Sequence, residues 1–328
     1  MQRHALRTWR LLAAVLLGTA VGPAAARPAA AAYPEKPVRL VITHAAGGST
    51  DAAARLVQPY LERHLGVPVV VQNLPGAGGN MARAYVYGQP PDGYTLLVSQ
   101  QPSMSSGQIV SGGIFDVAKF VHVYNIAGHN YNCVAVRADS PFKSIEDLRR
   151  ASAARPLVVA GTGTGNSYIL AMLLKSKAGI AMTYVPYKTG AEGVEAVAQG
   201  QADVGTGGLD DYWPSHEQKR VRILAVAGPR RDVWHKELPT LVELGYRDIR
   251  LDQMTGVFAP PGLPDDRLRV LVAAFEKTFA DKSLHTAAAE AKLSLQPMPP
   301  AEFRRASLEL FRLVQELAPV LRLSQASP

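Results

Sequence analysis

The sequence predicts an α/β protein with two domains and a cleft between them. Strand and helix patterns alternate in two separate parts of the chain, which is typical of sheets that are covered by helices. In each part a glycine-rich turn connects a strand to a helix, at residues 45–49 and at residues 161–167. The chain has 328 residues, which is enough for two domains of ordinary size. Because clefts between domains are where small ligands usually bind, both turns are candidate binding elements.

The first alternating part covers residues 38–99. A buried strand over 38–42 leads into the first turn, and a helix starts near Thr50 and stops at Gly66, a typical residue after a helix end. Ser49 or Thr50 is expected to cap this helix with its side chain. Further strands are predicted at 67–72 and 94–99 and a further helix at 80–87, which together favour a parallel sheet.

The second alternating part follows a polar stretch, residues 100–120, that has no clear periodicity and receives no assignment. Strands are predicted at 121–127 and 132–137, and Ser144 is expected to cap the next helix. The later elements are strands at 157–160, 183–185, 202–205 and 221–227, and helices that end near 177 and 199. A strand at 251–259 and helices at 265–280, 283–292 and 301–323 complete the chain.

Two strands cross between the parts, near 131–136 and 251–259. They predict one domain from residues 33–131 with 256–328, and a second domain from residues 132–255.

Residues 1–32 are expected to be a signal peptide. Arg3, Arg7 and Arg10 precede an apolar run over 11–21, and small residues follow. Cleavage is expected after Ala26 or Ala32. The apolar run is short for a membrane span, so an exported soluble protein is predicted.

The charge and the cysteine content exclude several classes of function. Four of the 35 basic residues and none of the 27 acidic residues fall within 1–32, so the net charge is +4 beyond them rather than +8. So mild an excess, without a large basic cluster, does not indicate nucleic-acid binding. Cys133 is the single cysteine, which excludes internal disulfides and cysteine-built metal sites. The histidines are scattered and do not form a pair with the spacing of metal ligands. No metal or cofactor is therefore expected.

The two glycine-rich turns favour an anion site. Glycine lets a ligand approach the main chain, and the free N–H groups of a helix start attract a carboxylate or a phosphate. The second turn has half of a dinucleotide fingerprint, but Asn166 occupies the last glycine position and no acid follows at the required distance. Neither turn has the lysine of a phosphate-binding loop. A tight connection without a ligand remains the alternative.

An exported hydrolase is the second functional hypothesis. Ser49 would be the nucleophile, with N–H groups of the turn as oxyanion donors and His44 as the base. The Gly-x-Ser-x-Gly pattern of hydrolases is absent. Asp210 and Asp211 are expected to form a solvated turn, with a position lining the cleft as the alternative. His44, His122 and His129 are expected to be polar rim or core residues rather than catalysts, and Tyr212, Trp213 and Trp234 to be core aromatics rather than ligand stackers.

Several short segments resemble the receptors of tripartite tricarboxylate transporters, the Bug or TctC-like solute-binding proteins. They span the chain beyond the leader, in order: Tyr33-Pro-Glu-Lys-Pro37, Gly47-Gly-Ser-Thr-Asp51, Asn73-Leu-Pro-Gly-Ala-Gly-Gly-Asn80, Pro91-Asp-Gly-Tyr-Thr-Leu-Leu97, Val185-Pro-Tyr-Lys188, Gly200-Gln-Ala-Asp203, Leu238-Pro-Thr240 and Phe258-Ala-Pro260.

The resemblance implies a type II periplasmic-binding-protein architecture, which closes like a Venus flytrap around a small carboxylated solute. It also implies a monomer that delivers the solute to a membrane transporter with two integral subunits. No enzymatic activity is expected, because the sequence does not place a catalytic base and a nucleophile together. In the family, the carboxylate is held by backbone amides and waters at the two turns. Carried over by position, the binding residues are Gly47, Gly48, Ser49, Thr50 and Asp51 in the first turn and Gly163, Thr164, Gly165, Asn166 and Ser167 in the second.

Four departures from the family pattern bear on the ligand. His44, Ala45 and Ala46 replace Phe-Ala-Pro, and Ile169 replaces a common histidine. Gly207 and Gly208 replace an Asp-Asn pair, and Asp211 replaces a common serine. We hypothesise that His44 forms a polar, titratable wall and that Gly207 and Gly208 make room for a bulkier acid. Asp51 either orients a group of the ligand or stabilises its own helix.

Overall fold

The computed structural model describes residues 33–128, 131–163 and 165–323. The expected signal peptide therefore lies outside the described residues, together with its cleavage sites. The strands are β1 (Val38–Ile42), β2 (Val69–Asn73), β3 (Thr95–Gln101), β4 (Val121–Gly128), β5 (Asn132–Arg137), β6 (Leu157–Thr162), β7 (Met182–Tyr187), β8 (Val204–Gly208), β9 (Val221–Val226), β10 (Met254–Ala259) and β11 (Leu295–Met298).

The helices cover these strands on both faces. They are α1 (Ser49–Leu65), α2 (Asn80–Tyr87), α3 (Ser103–Ile109), α4 (Ile145–Ser152), α5 (Asn166–Lys177), α6 (Gly190–Ala198), α7 (Leu209–Glu217), α8 (Asp265–Ala280), α9 (Lys282–Glu290) and α10 (Pro300–Leu323). A single 3-10 turn at Ala77–Gly79 precedes α2. None of the described helices is long and apolar enough to cross a membrane.

The strands form two sheets. In the described residues the first has the order β11-β4-β10-β3-β1-β2 and the second the order β7-β6-β8-β5-β9. The strand β1 is parallel to β2 and β3, and β6 is parallel to β7 and β8, as the strand-helix alternation predicts. The strands β10 and β5, which lie outside those alternating units, are antiparallel to both of their neighbours. Each of these strands follows a passage of the chain from the other sheet, so it does not enter its sheet through a right-handed crossover.

The middle of the first sheet is buried on both faces. Side chains alternate along β1, so Leu40 and Ile42 pack on the face covered by α1 and α8. Val41 points to the opposite face, where Phe258 and Phe303 complete a second cluster. Burial on both faces explains why this strand is a continuous apolar run that can be recognised in the sequence.

Three segments escaped prediction. Helix α3 lies in the stretch without periodicity, and strand β11 pairs with β4 at the edge of the first sheet. Asp210 and Asp211 are exposed as expected, but they belong to the first turn of α7, so the expectation of a turn rather than a helix is wrong there. Pro214 inside α7 obscures the helical pattern in the sequence.

The last helix packs against both sheets. Phe303 and Leu310 of α10 belong to the cluster of the first sheet, whereas Val314, Leu317 and Leu321 belong to the core of the second. The hydroxyl of Tyr168 in α5 also donates a hydrogen bond to the carbonyl of Leu321. The helix is therefore a third connection between the two halves, besides the two crossing strands.

A histidine is buried in the aromatic cluster under the first sheet. His122 in β4 is 3% exposed, and its ring meets Phe258 and Phe303 at centroid distances of 5.1 and 5.0 Å. Its Nδ1 lies 3.1 Å from the carbonyl of Phe120, and its Nε2 lies 2.9 Å from the hydroxyl of Ser307. Burial lowers the pKa of His122 to about 4, so the folded protein holds it neutral.

We expect this histidine to make the fold sensitive to acid. Between pH 6.5 and pH 4, His122 is protonated in the unfolded chain but stays neutral in the folded protein. The free energy of unfolding therefore falls as the pH falls. From pH 7 to pH 4.5 the loss from this residue is on the order of 2 kcal/mol. Urea unfolding of the wild type and of His122→Gln at both pH values measures it. The variant should lose less stability over this interval, and equal losses would contradict the assignment.

Candidate functional site

A cavity of about 1030 Å³ opens at the carboxyl ends of the parallel strands of both sheets. Residues that follow β1 and β3 line it from the first sheet, and residues that follow β6, β7 and β8 line it from the second. Such strand ends are the usual place for ligands in α/β proteins. Of the predicted site residues, His44, Gly47, Gly48, Ser49, Thr50, Gly165, Asn166, Ser167 and Gly208 line the cavity.

The other predicted site residues are elsewhere. Asp51, Gly163 and Gly207 do not line the cavity. Thr164 lies outside the described residues, as does His129.

Asp51 stabilises the first turn from the side that faces away from the cavity. Its Oδ2 accepts a hydrogen bond of 2.9 Å from the N–H of Gly47, which has a φ of +87° that favours glycine. Arg55 donates to both carboxylate oxygens, and Asn73 donates to Oδ1 at 2.9 Å. Despite the cost of burial, these donors keep the pKa of the Asp51 carboxyl below its usual value. Of its two possible roles, the geometry favours support of the turn over contact with a ligand.

Helix α1 begins without a side-chain cap. Its N-cap residue is Gly48, so the expectation that Ser49 or Thr50 caps the helix is wrong. The Ser49 hydroxyl instead accepts a hydrogen bond of 3.3 Å from Nε2 of Gln100, and the Thr50 hydroxyl lies 3.3 Å from Nδ1 of His44. No side chain of the described residues therefore occupies the first N–H groups of α1, at a helix end that attracts anions.

Helix α5 begins in the same way from the second sheet. Its N-cap residue is Gly165, also without a side-chain cap, and its first turn carries no acid. Gly163 is engaged behind the turn, where its N–H donates to the carbonyl of Tyr187 at 3.2 Å and its carbonyl accepts from the Tyr184 hydroxyl at 2.9 Å. Asn166 lines the cavity, and its Oδ1 is buried with no hydrogen-bond partner among the described residues.

Gly207 does not make room for a ligand. A Cβ at this position would stand 2.6 Å from the ring of Tyr212, and one at Gly205 would also overlap that ring. The space left by the missing side chains of Gly205 and Gly207 is therefore filled by Tyr212, which is 1% exposed in the core of the second sheet. The hypothesis of space for a bulkier acid is wrong for Gly207, and only Gly208 reaches the cavity.

His44 is a neutral wall of the cavity. Burial, with a smaller contribution from the nearby charge of Arg83, lowers the pKa of His44 to about 4. The wall is therefore polar, as hypothesised, and its titration lies at acid pH. Its Nδ1 lies 2.9 Å from the Thr43 hydroxyl and 3.3 Å from the Thr50 hydroxyl. When Nδ1 accepts from these hydroxyls, Nε2 carries the hydrogen and is a donor.

A buried cation lies behind the first turn, and sequence reasoning missed it. Arg83 of α2 is fully buried and donates to Oδ1 of Asn80, to the carbonyl of Gly78, and to the hydroxyls of Ser99 and Ser103. Among the described residues no carboxylate pairs with it. Burial lowers the pKa of Arg83 to about 9, so it stays charged at neutral pH. The available signal was a charged residue between Ala82 and Val86 on the buried face of a helix.

Ser103 contacts both this buried cation and the cavity. Ser103 lines the cavity, and its hydroxyl accepts a hydrogen bond of 3.1 Å from Nη2 of Arg83, which leaves the hydrogen of the hydroxyl free to donate. The same oxygen lies 3.1 Å from the position that a Cβ would take at Gly165. Ser103 is therefore placed beside the start of α5, although it belongs to the first half of the chain.

The wall contributed by α7 is acidic, in contrast to the positive ends of α1 and α5. Asp210, Asp211 and Glu217 of this helix line the cavity, as does Lys188 after β7. Aromatic residues complete the wall: Trp213 stacks on His235 with a centroid distance of 3.6 Å, and Trp234 is 41% exposed. Both tryptophans line the cavity. The expectation that they are core aromatics therefore missed their position at the cavity.

Known proteins share this architecture. The family model of the tripartite tricarboxylate transporter family receptor matches residues 53–303. A UPF0065 protein from the gbd 5′ region of Cupriavidus necator is 32% identical over 282 residues, which cover 85% of each chain. A structure of an R. palustris protein with adipate has a TM-score of 0.77 and 27% identity, covering 88% of this chain and 98% of the other. MatC from Rhodopseudomonas palustris, with bound malate, has a TM-score of 0.72 and 26% identity, covering 89% of this chain and 99% of the other.

Proposed function

The chain belongs to the receptor family of the tripartite tricarboxylate transporters, and we propose that its cavity binds a small carboxylated solute through the turns before α1 and α5. Members of this family are periplasmic solute-binding receptors with the two-domain type II fold, and this chain is one of them.

One observation carries the proposal. Two helices from different sheets, α1 and α5, begin at the same cavity with glycine N-caps and no side-chain caps. Each provides N–H groups and the positive end of a helix dipole, which favour a carboxylate. The buried charge of Arg83 lies behind the first of these helix starts and adds to the positive potential. Bound adipate and malate in the two related structures support a carboxylate as the ligand.

The two halves are proposed to close around the solute. One domain comprises residues 33–131 with 256–328, and the other comprises residues 132–255. The crossing strands near 131–136 and 251–259 form the hinge, and α10 bridges both cores. A solute that contacts both turns binds the closed arrangement more tightly than the open one, so it shifts the population towards closure.

Catalysis is not part of the proposed function. A hydrolase would need the Ser49 hydroxyl to contact His44, but Ser49 accepts from Gln100 and Nδ1 of His44 faces Thr43 and Thr50. This arrangement supports binding without turnover.

The receptor is proposed to act as a monomer that delivers its solute to a membrane transporter with two integral subunits. Export would follow from cleavage of the signal peptide after Ala26 or Ala32.

Thermal unfolding with a panel of acids tests the proposed function. Butanoate, hexanoate, succinate, malate, adipate and the ω-amino acids of matched chain length are compared with the corresponding primary amides and diols, which lack a carboxylate. A solute at a hundred times its Kd raises the free energy of unfolding by about 2.7 kcal/mol, so an increase of several degrees in Tm is expected for at least one acid. Stabilisation by no acid, or hydrolysis of a generic ester that Ser49→Ala abolishes, would contradict the proposal.

A further inference from the structure

Asp211 occupies a socket formed by two glycines. A Cβ at Gly190, the first residue of α6, would overlap the carboxylate of Asp211, and a Cβ at Gly208 would stand 3.3 Å from its Oδ2. Gly190, Gly208 and Asp211 all line the cavity. The absence of side chains at 190 and 208 therefore lets an acidic group lie against the backbone at the end of the second sheet.

The carboxylate of Asp211 has no partner of its own. Among the described residues, no hydrogen-bond donor and no cation contacts it, unlike the carboxylate of Asp51, which has three partner residues. Asp211 is exposed to the water of the cavity, and the partial desolvation that the surrounding protein imposes raises the pKa of its carboxyl. A partly desolvated acid of this kind gains from a donor or a cation that enters the cavity.

The cavity is electrically asymmetric. The starts of α1 and α5 present no carboxylate to it, because α5 has no acid in its first turn and Asp51 is turned towards Arg55. Helix α7 begins at the same cavity with two acids in its first turn, which offset the positive end of its own dipole. One side therefore favours an anion and the other favours a cation.

Aromatic rings lie on the acidic side. Trp213 and Trp234 line the cavity in the same half of the chain as Asp211. Indole faces attract an ammonium group, and a carboxylate together with aromatic rings is a suitable environment for a protonated amine.

We propose that the solute is an amino acid whose carboxylate binds at the starts of α1 and α5 and whose protonated amine binds Asp211. The inference rests on the proposed function, since it adds the second end of the same solute. Lys188 also lines the cavity, but among the described residues it does not pair with Asp211. A solute with a carboxylate at both ends would place like charges together at Asp211 and would bind less tightly.

The test compares three six-carbon probes by calorimetry: 6-aminohexanoate, adipate and hexanoate. The four-carbon set 4-aminobutanoate, succinate and butanoate is measured in parallel, because the span between the two ends sets the best length. At the better length, the wild type should bind the amino acid at least about tenfold more tightly than the diacid or the monoacid, the value of one charge-assisted hydrogen bond.

Two variants at position 211 and one control identify the residue responsible. Asp211→Asn keeps the shape and removes the charge, and Asp211→Ser gives a smaller neutral side chain. Both should lose the preference for the amino acid and bind the diacid at least as well as the wild type does. Asp248→Asn removes an exposed acid that does not line the cavity, and it should retain the wild-type preference.

The possible outcomes distinguish amine binding at Asp211 from the proposed carboxylate binding. If the wild type binds the diacid or the monoacid as tightly as the amino acid, or if both variants at position 211 keep the preference, the inference is overturned and carboxylate binding stands. If none of the probes binds, the inference is overturned together with the proposed function.

Discussion

Replacing Ser49 by proline is expected to weaken carboxylate binding by at least about tenfold without disturbing the fold. Ser49 is the first residue of α1, a position where proline is favoured because its N–H group has no partner within the helix. The preceding residue, Gly48, has φ −81° and ψ 167°, the extended conformation that a following proline requires. The substitution therefore removes one N–H donor from the cavity and leaves the helix start in place. One hydrogen bond to a charged group contributes about 1.5–3 kcal/mol.

Ser49→Ala is the matched control for this prediction. Alanine removes the same hydroxyl but keeps the N–H, so its affinity for the best-binding acid of the panel should stay close to that of the wild type. Calorimetry gives the two affinities, and urea unfolding without ligand checks that both variants are as stable as the wild type. A proline variant that binds as tightly as the alanine variant would show that the start of α1 does not hold the carboxylate.

The elements that could be predicted from the sequence are those whose signals are local. Helix α8 is predicted with the bounds that it has, since Pro264 precedes it, two acids open it and its apolar residues recur at helical spacing. Helix α4 is capped by Ser144 as expected, through the N–H of Asp147 at 3.1 Å. The position of both glycine-rich turns between a strand and a helix was equally accessible, because glycine and β-branched runs mark such boundaries.

The missed features depend on which segments meet in the fold. Gly207 looks like free space in the sequence, but the ring of Tyr212, from the following helix, fills that space. Tyr212 also anchors α7 in the core and so compensates for a helix that contains Pro214 and has a weak helical pattern. A sequence identifies a position without a side chain, but it does not identify the neighbour that uses the space.

The electrostatics of the site could not be predicted from the sequence either, because they also depend on which segments meet in the fold. The partners of Arg83 come from two segments, 78–80 and 99–103, so its place between Ala82 and Val86 hints at burial but does not show what surrounds the charge. The depressed pKa of His44 follows from burial and from this same cation. The likeness to a receptor family could be found in the sequence, whereas the charge pattern that selects a ligand depends on contacts between distant residues.

Replacing Arg83 by methionine is expected to cause the largest loss of affinity, about thirtyfold or more. Two opposite unit charges separated by about 8 Å attract each other by about 2 kcal/mol at an effective dielectric constant of 20, which is about thirtyfold in affinity, and a shorter separation gives more. Loss of the guanidinium also frees the Ser103 hydroxyl from the donor that holds its hydrogen available for the ligand. We also expect a loss of stability on the order of 2 kcal/mol, because the carbonyl of Gly78 and the amide oxygen of Asn80 lose a buried donor. Removal of an unpaired buried charge offsets part of that cost.

Two comparisons separate the charge of Arg83 from its packing. Arg83→Lys keeps the positive charge and loses most of the hydrogen bonds, so its affinity should lie between those of the wild type and Arg83→Met. The primary amide of the best-binding acid measures the effect on a neutral solute, and its affinity should change much less than that of the acid when Arg83 becomes methionine. Calorimetry on variants shown to be folded by circular dichroism gives these values. Equal losses for the acid and the amide would mean that Arg83 supports the shape of the site and not its charge. Selective loss of the acid would establish an unpaired cation behind the first turn as the source of anion affinity.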